Sequence, residues 1–505
     1  MTGRPVPPAA GGPSKLVERV RDVMALHPHA RAVTDEQRTL HYRELDELRT
    51  AWSKRLGERG APPGSIVALA VHDPLYLAPA FLAARTAGLV PLLLDPHQPA
   101  ARRAAVLAAA RPALTMRVGE TPSYETSDEA PLVVGPGAGY LGFTSGTQGT
   151  PKGIVGNELG ALHFADWEIG TLGLRSGTRV ALLSPPTFEV IIRELFVTLC
   201  AGGELLVAQP GVRADPSRVV DWIATREAEL VHAVPSLSIR WVAAAAGRRL
   251  PGLRWTLFAG EPLYAEHVLR WRGIAPSTDV INLYGPSETT LAKFWYRVPD
   301  PPKTGLQPVG RPLPGAGLRG AVPGGASFPV VVETPHGSLG YLPGTAAPAD
   351  EAALTRSAGM TAFVSKDLGL LTDDGDLVVT GRSDSQVKRR GVFVDLGRIE
   401  EAAADSPGVR LACCVQADPG NGGALVLFVE SAPELPVARL SRHLRRELGP
   451  AAPDDVVAVP RMPLSPNGKI DRRIVGRLVN GPLGEPEPEP ETRTGTTRIK
   501  TETSP

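Results

Sequence analysis

From residue 16 to about residue 336 the chain alternates short apolar runs with longer amphipathic stretches. That alternation constrains the fold more than any other feature. Residues 65–71 (SIVALAV) read as a buried strand and 75–86 as the helix that follows it. Residues 90–94 (VPLLL) give the next strand and 100–110 the next helix. The rhythm returns at 180–183, 190–199, 204–207, 217–227 and 230–233, with further apolar runs at 255–258 and 280–283. Continuous apolar runs suit strands whose two faces are both covered. The expectation is an α/β body of parallel sheets covered by helices. No fixed-period repeat is visible, which argues against a solenoid.

At 505 residues the chain is longer than one core usually supports. Glycine and proline concentrate between residues 301 and 344, where short strands such as 328–332 predict a small β-rich subdomain closing the body. After Arg382 the pattern becomes strand, helix, strand, strand, helix, the signature of a compact α+β C-terminal domain. The run EPEPEPE at 485–491 has no core-forming pattern. The expected division is a disordered N-terminus over 1–14, a large core over 15–382, a small mobile domain over 383–479 and a disordered tail over 480–505.

Charge excludes some classes of partner. Lysine and arginine number 54 against 53 aspartates and glutamates, spread along the chain, for a net charge of +1. Neither a nucleic acid nor a membrane surface is expected as a partner. Of three cysteines, Cys200, Cys413 and Cys414, two are neighbours and cannot easily pair. The N-terminal residues lack the apolar stretch of a signal peptide, and no run approaches the roughly 18 apolar residues that span a bilayer. A reducing cytoplasm is the expected location.

The segment YLGFTSGTQGTPKGI at 140–154 carries the clearest chemistry. Hydroxyl-bearing residues interleave with glycines and end on Lys152. Glycine lets backbone N–H groups approach a phosphate, serine and threonine add donors, and lysine adds charge. The usual nucleotide loop does not fit, because Pro151 and Gly153 stand where it needs glycine and serine or threonine. A phosphate loop of another kind is expected, with an ordinary polar turn as the plain alternative.

This segment resembles the signature of the adenylate-forming superfamily, which includes acyl-CoA ligases, luciferases and the adenylation domains of nonribosomal peptide synthetases. The family pattern is Y-T-S-G-T-T-G-x-P-K-G; here Phe143 replaces the tyrosine and Gln148 a threonine. Further resemblances follow in the family's order. They are NLYGPSETT at 282–290, GRSDSQVKRRG at 381–391, LGRIE at 396–400 and PLSPNGKIDR at 463–472. Weaker echoes are LHYREL at 40–45, AGLVPLLLD at 87–95 and AGE at 259–261. Residues 16–478 are covered, most like a stand-alone amino-acid adenylation enzyme.

The resemblance implies ATP and Mg²⁺ as cofactors and a role for each motif. Lys469 would stabilise the transition state in which a carboxylate attacks the α-phosphate, and Glu288 would help hold Mg²⁺. Thr144, Ser145, Gly146, Thr147, Gly149 and Lys152 would cradle phosphates, with Gly260, Gly285 and Ser287 beside them. Tyr284 would pack on adenine with Asn282 near the base edge. Asp367 would bind the ribose, although the family's T-G-D is S-K-D here, and Arg382 would reach the nucleotide. Val379 stands near the place of a usual aromatic, which implies looser packing there. Asp384 falls at the family's hinge, about which the small domain rotates after adenylation.

For the acid, amino-acid-activating members carry F-D-x-S-x-x-E, whose aspartate pairs with the substrate ammonium. The matching run is FEVIIRE at 188–194, so Glu189 keeps the charge with one more methylene. Glu189 could instead pair with Arg193 one helical turn on. If Arg193 points into the pocket, it could receive a second, acidic group. Val190, Ser236, Leu257, Ala259, Leu283, Leu291 and Ala292 match the other pocket positions, and they predict a compact pocket. No downstream segment resembles a carrier domain. The expected acceptor is therefore a separate carrier protein bearing phosphopantetheine, with coenzyme A second and a free amine third. Arg389, Arg390 and the stretch 442–446 could face an acidic carrier or the coenzyme's phosphates, or form a solvated basic face. The readings left open are amino-acid adenylation, acyl- or aryl-CoA ligation and a non-catalytic nucleotide-binding relative.

Overall fold

The computed structural model describes residues 13–145, 151–389, 392–417, 423–431 and 435–480. Two large sheets carry the N-terminal body. In the nine-stranded sheet the interior strands are parallel, in the order Asp279–Tyr284, Trp255–Ala259, Leu230–Ala233, Arg179–Leu182, Glu204–Val207, Arg31–Thr34. Antiparallel strands close its edges: Thr39–His41 on one side, Phe294–Arg297 and Arg311–Pro312 on the other. The seven-stranded sheet places Val90–Leu94, Ile66–Val71 and Leu114–Val118 in parallel, next to the hairpin Ala138–Ser145 and Pro151–Asn157.

One core joins both sheets to the helices Leu77–Thr86, Glu158–Leu172 and Val190–Ala201. The last is buried continuously from Ile191 to Cys200, and Phe81 meets Phe196 edge to face at 5.0 Å. A helix covered on all sides has no polar stripe, so its sequence is apolar with little period. Arg193 and Glu194 are charged residues inside that helix, and burial there is costly without partners.

The small β-rich unit is a five-stranded sheet reaching to Arg382, well past the expected end at residue 344. Its long strands Phe328–Thr334 and Met360–Leu371 pair antiparallel, while Gly340–Tyr341 joins the seven-stranded sheet instead. The C-terminal unit opens with the hairpin Gln386–Arg389 and Val392–Asp395, then the helix Leu396–Ala404. Val409–Gln416, Leu425–Ser431 and Asp455–Val459 form its sheet, packed by the helix Val437–Leu448. The helix Arg472–Asn480 carries order through residue 480.

The expected N-terminal boundary also shifts. Ser14 caps the helix Lys15–Leu26 by accepting from Val17 N, and its hydroxyl donates to Glu158 at 2.8 Å. The remaining residues of the two expected disordered ends, 1–12 and 481–505, lie outside the described residues. No helix among the described residues is long and apolar enough to cross a membrane. The cysteines are buried and free, as their number and spacing suggest.

Candidate active site

A cavity of 550 Å³ opens where the nine-stranded sheet, the β-rich sheet and the C-terminal unit meet. Its walls come from strand ends and the loops after them, where α/β folds place ligands. Gly260, Asn282, Tyr284, Gly285, Ser287, Asp367, Arg382 and Lys469 line it. So do Glu189, Val190, Arg193, Ser236, Ala259, Leu283, Leu291 and Ala292. Residues chosen from motifs nearly 300 positions apart thus share one space.

At one end Tyr284 donates from its hydroxyl to Asp367 Oδ2 at 2.6 Å, and Arg382 pairs with Asp367 Oδ1 at 3.1 Å. Arg382 also holds both oxygens of Asp384, at 2.8 and 3.0 Å, and Lys366 lies 3.6 Å from the same carboxylate. Asp384, the expected hinge, therefore sits in a charge cluster linking the β-rich sheet to the start of the C-terminal unit. The Asn282 amide donates to Pro308 O at 2.8 Å, which fixes the side chain against that loop. Gly285 is required sterically, since a Cβ there would lie 2.5 Å from Leu291 O.

Lys469 reaches into the same space from the C-terminal unit. Its Nζ lies 5.6 Å from the centre of the Phe188 ring and packs on Gly260, where a Cβ would meet Nζ at 2.7 Å. Burial lowers its pKa, partly offset by Glu261 and Asp367. The loop carrying it is tied down by Glu261, which accepts from Ile470 N at 3.2 Å and Ser236 N at 3.0 Å. The Ser236 hydroxyl lies 2.6 Å from both Glu261 Oε2 and Gly468 O. Ser236 thus lines the cavity while also anchoring this loop.

The acid end is built around Glu189. Tyr140 donates to Glu189 Oε1 at 2.5 Å, and Leu291 N approaches the same oxygen at 3.4 Å. Tyr140 is held there because its ring lies on Gly156, where a Cβ would be 2.2 Å from the ring. Burial raises the Glu189 pKa, opposed by hydrogen bonds from Ser287, Tyr140 and Leu291. No ion pair joins Glu189 to Arg193 among the described residues. Thr290 and Leu291 both have positive φ, 57° and 60°, an unusual tandem for residues with side chains.

Several expectations need correction. Leu257 does not line the cavity; it is completely buried beneath it, in the core shared by both sheets. The period of a strand turns Leu257 and Ala259 to one face, and only the latter reaches the open strand end. Arg389 is not presented to a partner: it binds Asp454 and donates to the carbonyls of Pro450 and Ala452. Glu288 is outside the cavity wall, with Oε1 accepting from Tyr341 at 2.8 Å. Lys152 stands 5.9 Å from the Tyr341 ring centre and pairs with Asp350 at 3.2 Å. It faces Thr144 across the hairpin, as Ser145 faces Pro151. Gly146, Thr147, Gly149, Arg390 and Gly391 lie outside the described residues.

Motif reading passed over Tyr140, Glu261, Lys293 and Tyr341. Glu261 stood in the weak AGE echo and Tyr140 opened the segment at 140–154 without a role of its own; Lys293 and Tyr341 gave no signal, because what surrounds them is remote in sequence. Among the described residues no cluster of three or more acidic, histidine or cysteine side chains could hold a metal. Glu288 fits a cation of the kind that takes a single carboxylate and completes its shell with phosphate oxygens and water, since its Oε2 has no hydrogen bond among them.

The sequence model for AMP-binding enzymes matches residues 20–135 and 137–320, and that for the AMP-binding enzyme C-terminal domain matches 398–469. A probable non-canonical nonribosomal peptide synthetase, CymA of Salinispora arenicola, is 32% identical over 89% of this chain and 6% of its own length. Enterobactin synthase component F of Shigella flexneri is 29% identical over 90% of this chain and 39% of its own. The chain thus spans a minor part of these relatives. The crystal structure of IdnL7 superposes with a TM-score of 0.77 at 25% identity, covering 92% of this chain and 99% of that one.

Proposed function

Because the chain belongs to the family of AMP-binding, adenylate-forming enzymes, we propose that it activates a small amino acid as its acyl-adenylate and passes the acyl group to the phosphopantetheine thiol of a carrier protein. The acid's carboxylate oxygen bonds to the α-phosphorus of ATP as the bond to the departing pyrophosphate breaks. Lys469, between Phe188 and Gly260, offsets the negative charge that gathers there. Tyr284 offers a face for adenine, Asp367 takes the ribose hydroxyls, and Arg382 holds Asp367 in place. Glu288 would hold Mg²⁺, which neutralises phosphate charge. In the second step the carrier's thiol attacks the acyl carbon and AMP leaves, after the small unit turns about Asp384.

The observation that carries this reading is that Glu189 and Lys469 line one cavity. An acid whose ammonium rests on Glu189 can turn its carboxylate toward Lys469, whereas a fatty or aryl acid would bring no cation to Glu189. The acceptor reading draws on a concavity of the small unit lined by Arg439, Arg442, His443 and Arg446 against a single acid, Asp405, a balance suited to an anionic partner. Amino-acid-dependent exchange of pyrophosphate into ATP is the test. Exchange should occur with amino acids and fall roughly a hundredfold or more in Lys469→Ala. Exchange confined to acids without an amine would overturn the amino-acid reading, and no exchange with any acid would overturn adenylation itself.

A further inference from the structure

Arg193 stands on the buried helix Val190–Ala201 one turn beyond Glu189, and both line the cavity. It is 3% exposed, yet among the described residues its guanidinium makes no hydrogen bond and no ion pair, and its buried Nε has no partner. Arg49, the other buried arginine among them, binds Asp46 at 2.7 Å and Thr50 at 2.9 Å. A buried cation without a partner is expensive, so a chain that keeps one needs a reason outside its own fold.

Three carboxylates stand near Arg193, and none forms a hydrogen bond or ion pair with it among the described residues. Glu168 shares one oxygen with His232 Nε2 at 3.0 Å, while its buried Oε2 has no hydrogen bond among the described residues, so its charge partly offsets Arg193 from within the fold. Glu194 accepts from the Ser184 hydroxyl at 2.8 Å, and burial pushes its pKa up to about 8. Glu189 accepts from Tyr140, and the adenylation reading gives it to the substrate's ammonium. Their field attracts a cation at Arg193, but none of them pairs with it. Arg193 lines the cavity, so a ligand there can supply the hydrogen bonds that these carboxylates do not.

We propose that Arg193 receives a second carboxylate, so that the acid activated here is a short dicarboxylic amino acid. The proposal rests on the adenylation reading above and names its substrate class. Glu189 and Arg193 are four residues apart on one helix face, a rise of about 6 Å, which suits a molecule the size of aspartate or glutamate. Val190, Leu291 and Ala292 supply small or apolar walls between the two charges. A bidentate guanidinium–carboxylate pair in so dry a place gives both affinity and orientation. The carboxylate held by Arg193 stays unreacted, and the one turned toward Lys469 forms the new bond to phosphorus.

Pyrophosphate exchange with aspartate, glutamate, asparagine, glutamine, alanine and leucine tests this. In the wild type a dicarboxylic acid should exceed its own amide by roughly a hundredfold in kcat/KM, since the amide leaves the buried guanidinium poorly matched. In Arg193→Gln that ratio should fall by about tenfold or more. An amide or a neutral amino acid exchanging as fast as the dicarboxylic one in the wild type would overturn the assignment while leaving adenylation intact. So would a ratio unchanged in the variant. If Arg193→Gln fails to fold, the wild-type panel decides alone. Exchange with no acid at all would overturn the adenylation reading and this assignment with it.

Discussion

Lys293 is completely buried, and among the described residues its Nζ reaches only the backbone carbonyls of Thr290 and Ala292. Burial pulls its pKa from 10.5 to about 7, with Glu189 pulling the other way. The unfolded chain therefore binds more protons than the folded one between about pH 7 and 10.5. Stability from this group rises with pH across that window and is lost as pH falls through 7. Lys293→Met should remove the dependence. In denaturant titrations the wild type should gain on the variant by up to roughly 1.4 kcal/mol per pH unit from pH 7 to 10. Equal slopes in both proteins would show that Lys293 is charged in the fold. The residue also braces the loop whose Leu291 N–H approaches Glu189. Nothing in its neighbourhood marks it in the sequence, because the burial comes from strands and helices far along the chain. Glu189, by contrast, was legible from its place in FEVIIRE; its partner Tyr140 was not.

The loop at residues 463–471 shows the same division at the level of an element. Its turn is local: Gly468, with φ of 79°, donates its N–H to Ser465 O at 2.8 Å, and Ser465 N donates to Lys469 O at 2.7 Å. That much follows from S-P-N-G-K, where proline and glycine set the turn. Where the turn docks is decided by Glu261 and Ser236, some 200 positions earlier. Glu261→Ala should let the loop drift and cost roughly tenfold in the exchange rate, with a smaller change in KM for ATP. An exchange rate like that of the wild type would mean the loop finds its place without Glu261. The β-rich sheet was misjudged for a related reason. Its glycine- and proline-rich half was conspicuous, while Met360–Leu371 and Leu377–Arg382 gained their place only by pairing with it.

For the whole molecule, the decisive contact is the seating of the C-terminal unit on the body. Ile239 joins Leu411, Cys413, Val415, Phe428 and Met462 in one apolar cluster. Arg240 donates to Met462 O, and Arg270 donates to Val409 O at 3.2 Å. This seating brings Lys469 into the cavity, so weakening it should bear unequally on the two half-reactions. Arg240→Ala with Arg270→Ala should slow pyrophosphate exchange about tenfold while acyl transfer from preformed adenylate to a carrier is spared. Equal losses in both steps would argue against a unit that must move. The sequence by itself determined the α/β class and the family, and its motifs singled out Lys469 and Glu189. Apolar periodicity and short motifs are local properties, written in neighbouring residues. Only the tertiary structure decided that Leu257 is core, that Arg389 is satisfied internally, and that Arg193 is buried with no hydrogen bond or ion pair among the described residues. Burial and pairing depend on what the rest of the chain brings alongside, and no local pattern carries that information.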